Sequence, residues 1–150
     1  FEGDADEVFI AFSRFLLKVY PNLKTVQRLT YEPDLIEISN RLVGLVELSP
    51  DGPILVSSLG FSAREVVSLS LLAAYVGFRL GKLRKDALSS DELARITSKA
   101  KKTMMNELPR LVNAGYVERK SEGEYVITTS GIRWTEEIIK DYTDRVKNPS

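Results

Sequence analysis

Apolar positions along this chain recur with two periods, and each change of period marks an element. From residue 90 to residue 113 the period is helical: Leu93 and Ile96 make one stripe, and Met104, Leu108, Leu111 and Val112 make a second that faces a core. Ser89 or Ser90 caps the first helix, with Asp91 and Glu92 in the turn where the helix dipole favours negative charge. Thr97 and Ser98 interrupt the run, and the second helix starts near residues 99–101. Asn113-Ala114-Gly115 ends it, with Gly115 in the left-handed capping conformation. Residues 116–120 and 124–128 then flank Ser121-Glu122-Gly123, which predicts a hairpin. Thr129 or Ser130 caps a last helix over 132 to about 147, with apolar Ile132, Ile138, Ile139, Tyr142 and Val146. Trp134 is placed there as an anchor, either capping the core or dimerising.

The first half reads differently. Residues 8–13 (VFIAFS) are a short apolar run that predicts a buried strand, and 15–20 the end of an amphipathic helix. Residues 24–31 are β-branched and predict a second strand. A helix follows, capped by Asp34 with Glu37 three residues on and striped by Leu35, Ile38, Leu42 and Leu45. Residues 49–53 (SPDGP) form a turn, 54–57 a third strand, and 63–78 a buried helix. Strand, helix, strand, loop, helix in this order predicts a parallel sheet with crossover helices. The loop 57–62 (SSLGFS) lies between a strand and a helix, where free N–H groups and the helix dipole favour anions. Ser57, Ser58 and Ser62 would add hydroxyls and Arg64 a charge; the plainer reading is an ordinary turn, with Gly60 present for its permissive backbone.

Charge separates the two halves. Residues 1–80 carry seven basic and ten acidic side chains, and residues 81–150 carry fourteen and eleven, in a chain that is neutral overall. Within residues 97–120, Lys99, Lys101, Lys102, Arg110, Arg119 and Lys120 stand against Glu107 and Glu118, a local +4. With Met104, Leu108 and Leu111 turned inward, Lys101, Lys102, Thr103, Asn106 and Arg110 are left on outer faces. On a helix that faces a nucleic-acid duplex, such positions let Asn pair with adenine, and Lys with guanine or phosphate. The plainer alternative is a solvated lysine face. Pro109 removes a helix hydrogen bond and predicts a kink that re-aims Arg110. Glu2, Asp4, Asp6 and Glu7 form an acidic run, read as a solvated entry loop or, less simply, a metal site.

Composition narrows the chemistry. The chain has no cysteine and no histidine, so thiol chemistry, disulfides, thiolate or histidine metal sites and serine–histidine catalysis are absent. At 43% apolar residues a packed core is expected. No signal peptide or membrane-spanning run stands out, so a cytoplasmic protein without a membrane partner is expected.

The elements LARI, SKAKKTMMNELPRLVNAGYV, VERKSEGEYVIT and TTSG, in that order, resemble the winged helix-turn-helix family of DNA-binding domains. That resemblance implies double-stranded DNA as partner, with Lys99, Lys101, Lys102, Thr103, Asn106 and Arg110 at the groove and Arg119 and Lys120 on the wing. The stretches GDADEVFIAFS, YPNLKTVQRLTYEPDL and ILVSSLGFSAREVVSLSLLAAYVG are similar to the CRISPR-associated Rossmann-fold (CARF) sensor family, whose members with a fused winged helix are dimeric, mostly archaeal transcription regulators. It implies that Ser57, Ser58, Leu59, Gly60, Phe61 and Ser62 line a pocket for a cyclic oligoadenylate, faced by Ser13 and Arg14. The chain departs from that family in three places: no opening strand precedes Phe1, only about nine residues follow Ser13 before the second strand, and the late strands after Arg79 are absent. Loops missing near Arg14 and Arg79 would account for the last two.

The expected architecture is therefore an α/β Rossmann-like sensor and dimerisation domain over residues 1–80 and an α+β winged helix-turn-helix domain over 81–150. The expected function is a non-enzymatic, homodimeric, ligand-responsive DNA-binding regulator, with no metal and no cofactor beyond the nucleotide effector. The alternatives are a winged helix used only for protein–protein assembly, and a ring-cleaving nuclease acting on the bound nucleotide.

Overall fold

Asp34 shows how the main unit starts. In the computed structural model, which describes residues 5–19, 31–56 and 60–147, its carboxylate accepts from the N–H groups of Ile36 and Glu37 at 3.1 and 3.2 Å and caps helix α2 (Leu35–Leu42). This matches the expected cap, although Glu37 turns outward to pair with Arg41 at 2.7 Å. Ile38, Leu42 and, beyond the helix, Leu45 are buried.

The chain divides into two compact units, Phe1–Glu32 and Pro33–Ser150. In the first, helix α1 (Ala5–Val19) occupies the stretch where residues 8–13 were expected to form a strand. A six-residue run with five apolar positions fits either element, and only the spacing of Ala5, Val8, Phe12, Phe15 and Val19 favours a helix. The helix runs unbroken through Arg14. The strand expected at 24–31 lies, but for Tyr31, outside the described residues.

The parallel sheet is also corrected. Strands β1 (Val46–Ser49) and β2 (Gly52–Leu55) form an antiparallel hairpin, pairing Val46 with Leu55 and Ser49 with Gly52. The reason is length: the turn at Pro50-Asp51 joins antiparallel neighbours, whereas a parallel crossover needs about a dozen residues or more. Gly52 takes a φ of 130° to close it, and the expected strand 54–57 is thus shifted toward the turn.

Helix α3 (Ala63–Arg79) is the hub. Ser62 and Glu65 form a reciprocal capping box at its start. Every residue from Val66 to Ala74 is buried, because the helix packs against α2, the β1–β2 hairpin and the elements that follow. After Arg79 a turn at Gly81 reverses the chain, with the N–H groups of Lys82 and Leu83 donating to the Gly77 carbonyl at 2.8 and 3.1 Å.

Strand β3 (Leu88–Ser89), helix α4 (Ser90–Thr97), helix α5 (Lys101–Asn113), strand β4 (Val117–Arg119), a single 3-10 turn at Ser121–Gly123, strand β5 (Glu124–Ile127) and helix α6 (Thr129–Lys147) complete the unit. The three strands are antiparallel in the order β3-β5-β4. α6 packs on α3 and α2, burying Ile132, Thr135, Ile138 and Ile139, so it closes the core of its own unit. Its start is tied by Thr128 and not by Thr129 or Ser130: the Thr128 hydroxyl accepts from Gly131 N–H at 3.0 Å and donates to the Gly115 carbonyl at 2.6 Å. Trp134 stacks on Tyr116 with ring centroids 4.6 Å apart. The whole is a small mixed fold of six helices and two small sheets among the described residues. None of those helices is long and apolar enough to cross a membrane.

Candidate nucleic-acid interface

The α4–turn–α5 segment is built by local rules. Ser89 caps α4, its hydroxyl accepting from Glu92 N–H at 3.1 Å while the Glu92 carboxylate accepts from Ser89 N–H at 3.2 Å. Ser98 ends the helix in a left-handed conformation at φ 54°, a geometry that turns the chain within three residues into α5. Leu93 and Thr97 on α4 and Met104, Leu108 and Leu111 on α5 are buried, so the two helices are locked by their apolar stripes. Val112, expected inside with them, is half-buried.

Helical geometry fixes what faces outward on α5. Opposite Met104, Leu108 and Leu111 lie Lys102, Asn106, Arg110 and Asn113, all exposed. Lys99 and Lys101 are exposed at the start of the helix, and Thr103 is half-buried. The first turn of α5 has no side-chain cap and no acidic residue, so its positive dipole end is uncompensated. α5 continues through Pro109 to Asn113 as one helix; Pro109 is exposed and deprives the Met105 carbonyl of its helical donor.

The charges are not equally free. Among the described residues Lys99, Lys102 and Arg119 have no ion-pair partner, while Lys101 reaches Asp91 at 3.0 Å with both side chains largely exposed. Such a pair adds little stability and yields readily to a phosphate. Arg110 lies 3.8 Å from Glu107, and Lys120 3.4 Å from Glu118. On the β4–β5 hairpin, Arg119 and Lys120 are accompanied by Glu118, Glu122 and Glu124, so the positive surface centres on α5 and its preceding turn. Arg95, exposed in the last turn of α4 and without an ion-pair partner among the described residues, was not singled out from the sequence. Its signal was its position in the last turn of α4, next to the turn that carries Lys99.

Lys85 holds this segment to the sheet, donating to Glu92 on α4 at 2.9 Å and to Glu124 on β5 at 2.8 Å. Hydrogen bonds to Glu124 and then Glu92 raise the Lys85 ammonium above the usual lysine range. Burial pushes the Glu92 carboxyl up, but donation from Lys85 and Ser89 outweighs it and leaves the group lowered.

Of the residues expected to line an effector pocket, Phe61, Ser62 and Arg64 make contacts within the fold. Ser62 caps α3, and Arg64 pairs with Glu107 at 2.9 Å. Phe61 is buried, with its ring 4.6 Å from that of Tyr142, and Gly60 is exposed with φ 84°. Arg14 is exposed on α1. Ser57, Ser58, Leu59 and the side chain of Ser13 lie outside the described residues. No group of three or more acidic side chains able to hold a metal occurs among the described residues. Compared with family models, curated proteins and solved structures, the chain matches none.

Proposed function

We propose that Pro33–Ser150 contains a winged helix-turn-helix module that binds double-stranded DNA, with α5 as the helix that enters the major groove. The element order helix, strand, helix, helix, strand, strand and the sheet order β3-β5-β4 support it. The observation that carries the reading is the outward face of α5. Lys102, Asn106 and Arg110 share it, and Lys99, without an ion-pair partner among the described residues, precedes an uncapped, acid-free helix start. Phosphates fit that start, and Asn106 has the donor and acceptor pair that adenine presents in reverse. The function is non-catalytic recognition within a DNA-binding regulator. Effector sensing is not part of this proposal, because Ser62, Arg64 and Phe61 already serve the fold.

The test is binding of a fluorescent random-sequence duplex, followed by anisotropy as salt is raised. If the cations on α5 and its preceding turn neutralise about four phosphates, log K falls with log salt with a slope of about −3.5. Binding that ignores salt, or that survives removal of Lys99 and Lys102 together, overturns the reading in favour of protein–protein assembly.

A further inference from the structure

A cavity of about 240 Å³ lies between the β1–β2 turn and the segment that leads from α3 into α4, apart from the outward face of α5 and from the loop 57–62. Pro50, Pro53, Leu83 and Leu88 give it apolar walls, and four charged side chains reach it: Asp51, Arg84, Lys85 and Glu92. Both sides are held in place. The Ser49 hydroxyl donates to the Gly52 carbonyl at 2.8 Å across the turn, and the two prolines fix their own φ. On the other side Leu83 N–H donates to the Gly77 carbonyl of α3 at 3.1 Å, and Lys85 is tied to Glu92 and Glu124. A ligand entering such a space has little protein to order, which lowers the cost of binding.

Charge and size select the ligand. Lys85 is already engaged by two carboxylates, which leaves Asp51 and Arg84. Neither side chain has a hydrogen-bond or ion-pair partner among the described residues, so they do not pair with each other although both line the cavity. The four charges cancel, so a polyanion such as a nucleotide finds no cationic excess there. The volume is smaller than the roughly 300–1,000 Å³ of pockets that take drug-sized ligands, so the occupant is small. One free guanidinium, one free carboxylate and apolar walls match a zwitterion with an apolar body. We propose that this cavity binds a free apolar α-amino acid, with its carboxylate on Arg84, its ammonium on Asp51 and its side chain against the prolines and leucines. The site stands independently of DNA binding.

Isothermal titration calorimetry of the whole chain with L-leucine and L-phenylalanine tests it. The expected result is saturable binding of at least one of them at millimolar concentration or below, weakened about tenfold or more in Arg84→Gln and in Asp51→Ala. Both side chains are exposed and without partners among the described residues, so both variants should keep the parent's melting temperature. Isocaproate, which is leucine without its amino group, should bind more weakly than leucine and be insensitive to Asp51→Ala. No binding of either amino acid, binding indifferent to either substitution, or isocaproate binding as tightly as leucine would each overturn the proposal.

Discussion

Arg64 Nε lies 2.9 Å from Glu107 Oε2, joining the first turn of α3 to the middle of α5 across 43 residues of sequence. Glu107 is mostly buried and also stands 3.8 Å from Arg110, so one carboxylate orients two guanidiniums next to the proposed recognition face. Glu107→Gln removes that charge. Because Arg64 is 41% exposed, the expected stability loss is only about 0.5–1 kcal/mol. Duplex affinity at low salt should rise a few-fold as the face becomes more positive. Urea unfolding and anisotropy on the same variant separate the two effects.

Lys102→Ala should leave stability within about 0.5 kcal/mol of the parent, since the side chain is exposed and has no ion-pair partner among the described residues. It should lower duplex affinity for every sequence alike and make the salt slope shallower by about one. Asn106→Ala should act differently, reducing discrimination at one base position with little change in slope. Binding to a panel of duplexes at several salt concentrations distinguishes the two patterns.

The bridge from Lys85 to Glu92 and Glu124 has a pH signature. Lys85 is raised above 10.5, so its contribution is complete below that value and fades as pH climbs through the raised value. Glu92 is lowered from 4.5, so its contribution is complete above that value and fades as pH falls through the lowered one. The stability difference between the parent and Lys85→Met should therefore be flat between these limits and shrink on either side. With Lys85 about half exposed, a plateau of about 1 kcal/mol or less is expected. Chemical denaturation at a series of pH values measures it.

Gly131 sits where α6 begins, against the backbone of Tyr116. A Cβ there would collide with the Tyr116 carbonyl oxygen and meet Ile127 Cγ1 at 2.8 Å. Since Tyr116 O also accepts from Thr128 N–H at 3.0 Å, the backbone has little room to yield. Gly131→Ala should destabilise by about 2–3 kcal/mol, and Thr128→Val by about 1–2 kcal/mol through loss of the cap. Both act next to the Tyr116–Trp134 stack, so tryptophan emission should report unfolding directly.

The stretch from Ser89 to Ile127 was readable because its signals are local. A serine cap with glutamate three residues on, glycine at the end of α5 and a hairpin of β-formers each depend on neighbours within a few residues. The outward set on α5 followed from the same periodicity. Residues 8–13 misled because a short apolar run carries no period of its own, and the sheet misled because no strand was expected at 46–49, so the short Pro50-Asp51 turn was not read as the connection of an antiparallel hairpin.

Arg64 was set beside the serines of its loop because both are polar and close in sequence; its partner stands far along the chain. Caps, turns and the inward or outward sense of each helical position are written in short-range residue order, where backbone sterics and side-chain hydrogen bonding act. Which carboxylate Arg64 meets, which threonine anchors α6 and how β3, β5 and β4 are ordered depend on distant segments meeting around α3, and only packing brings those together.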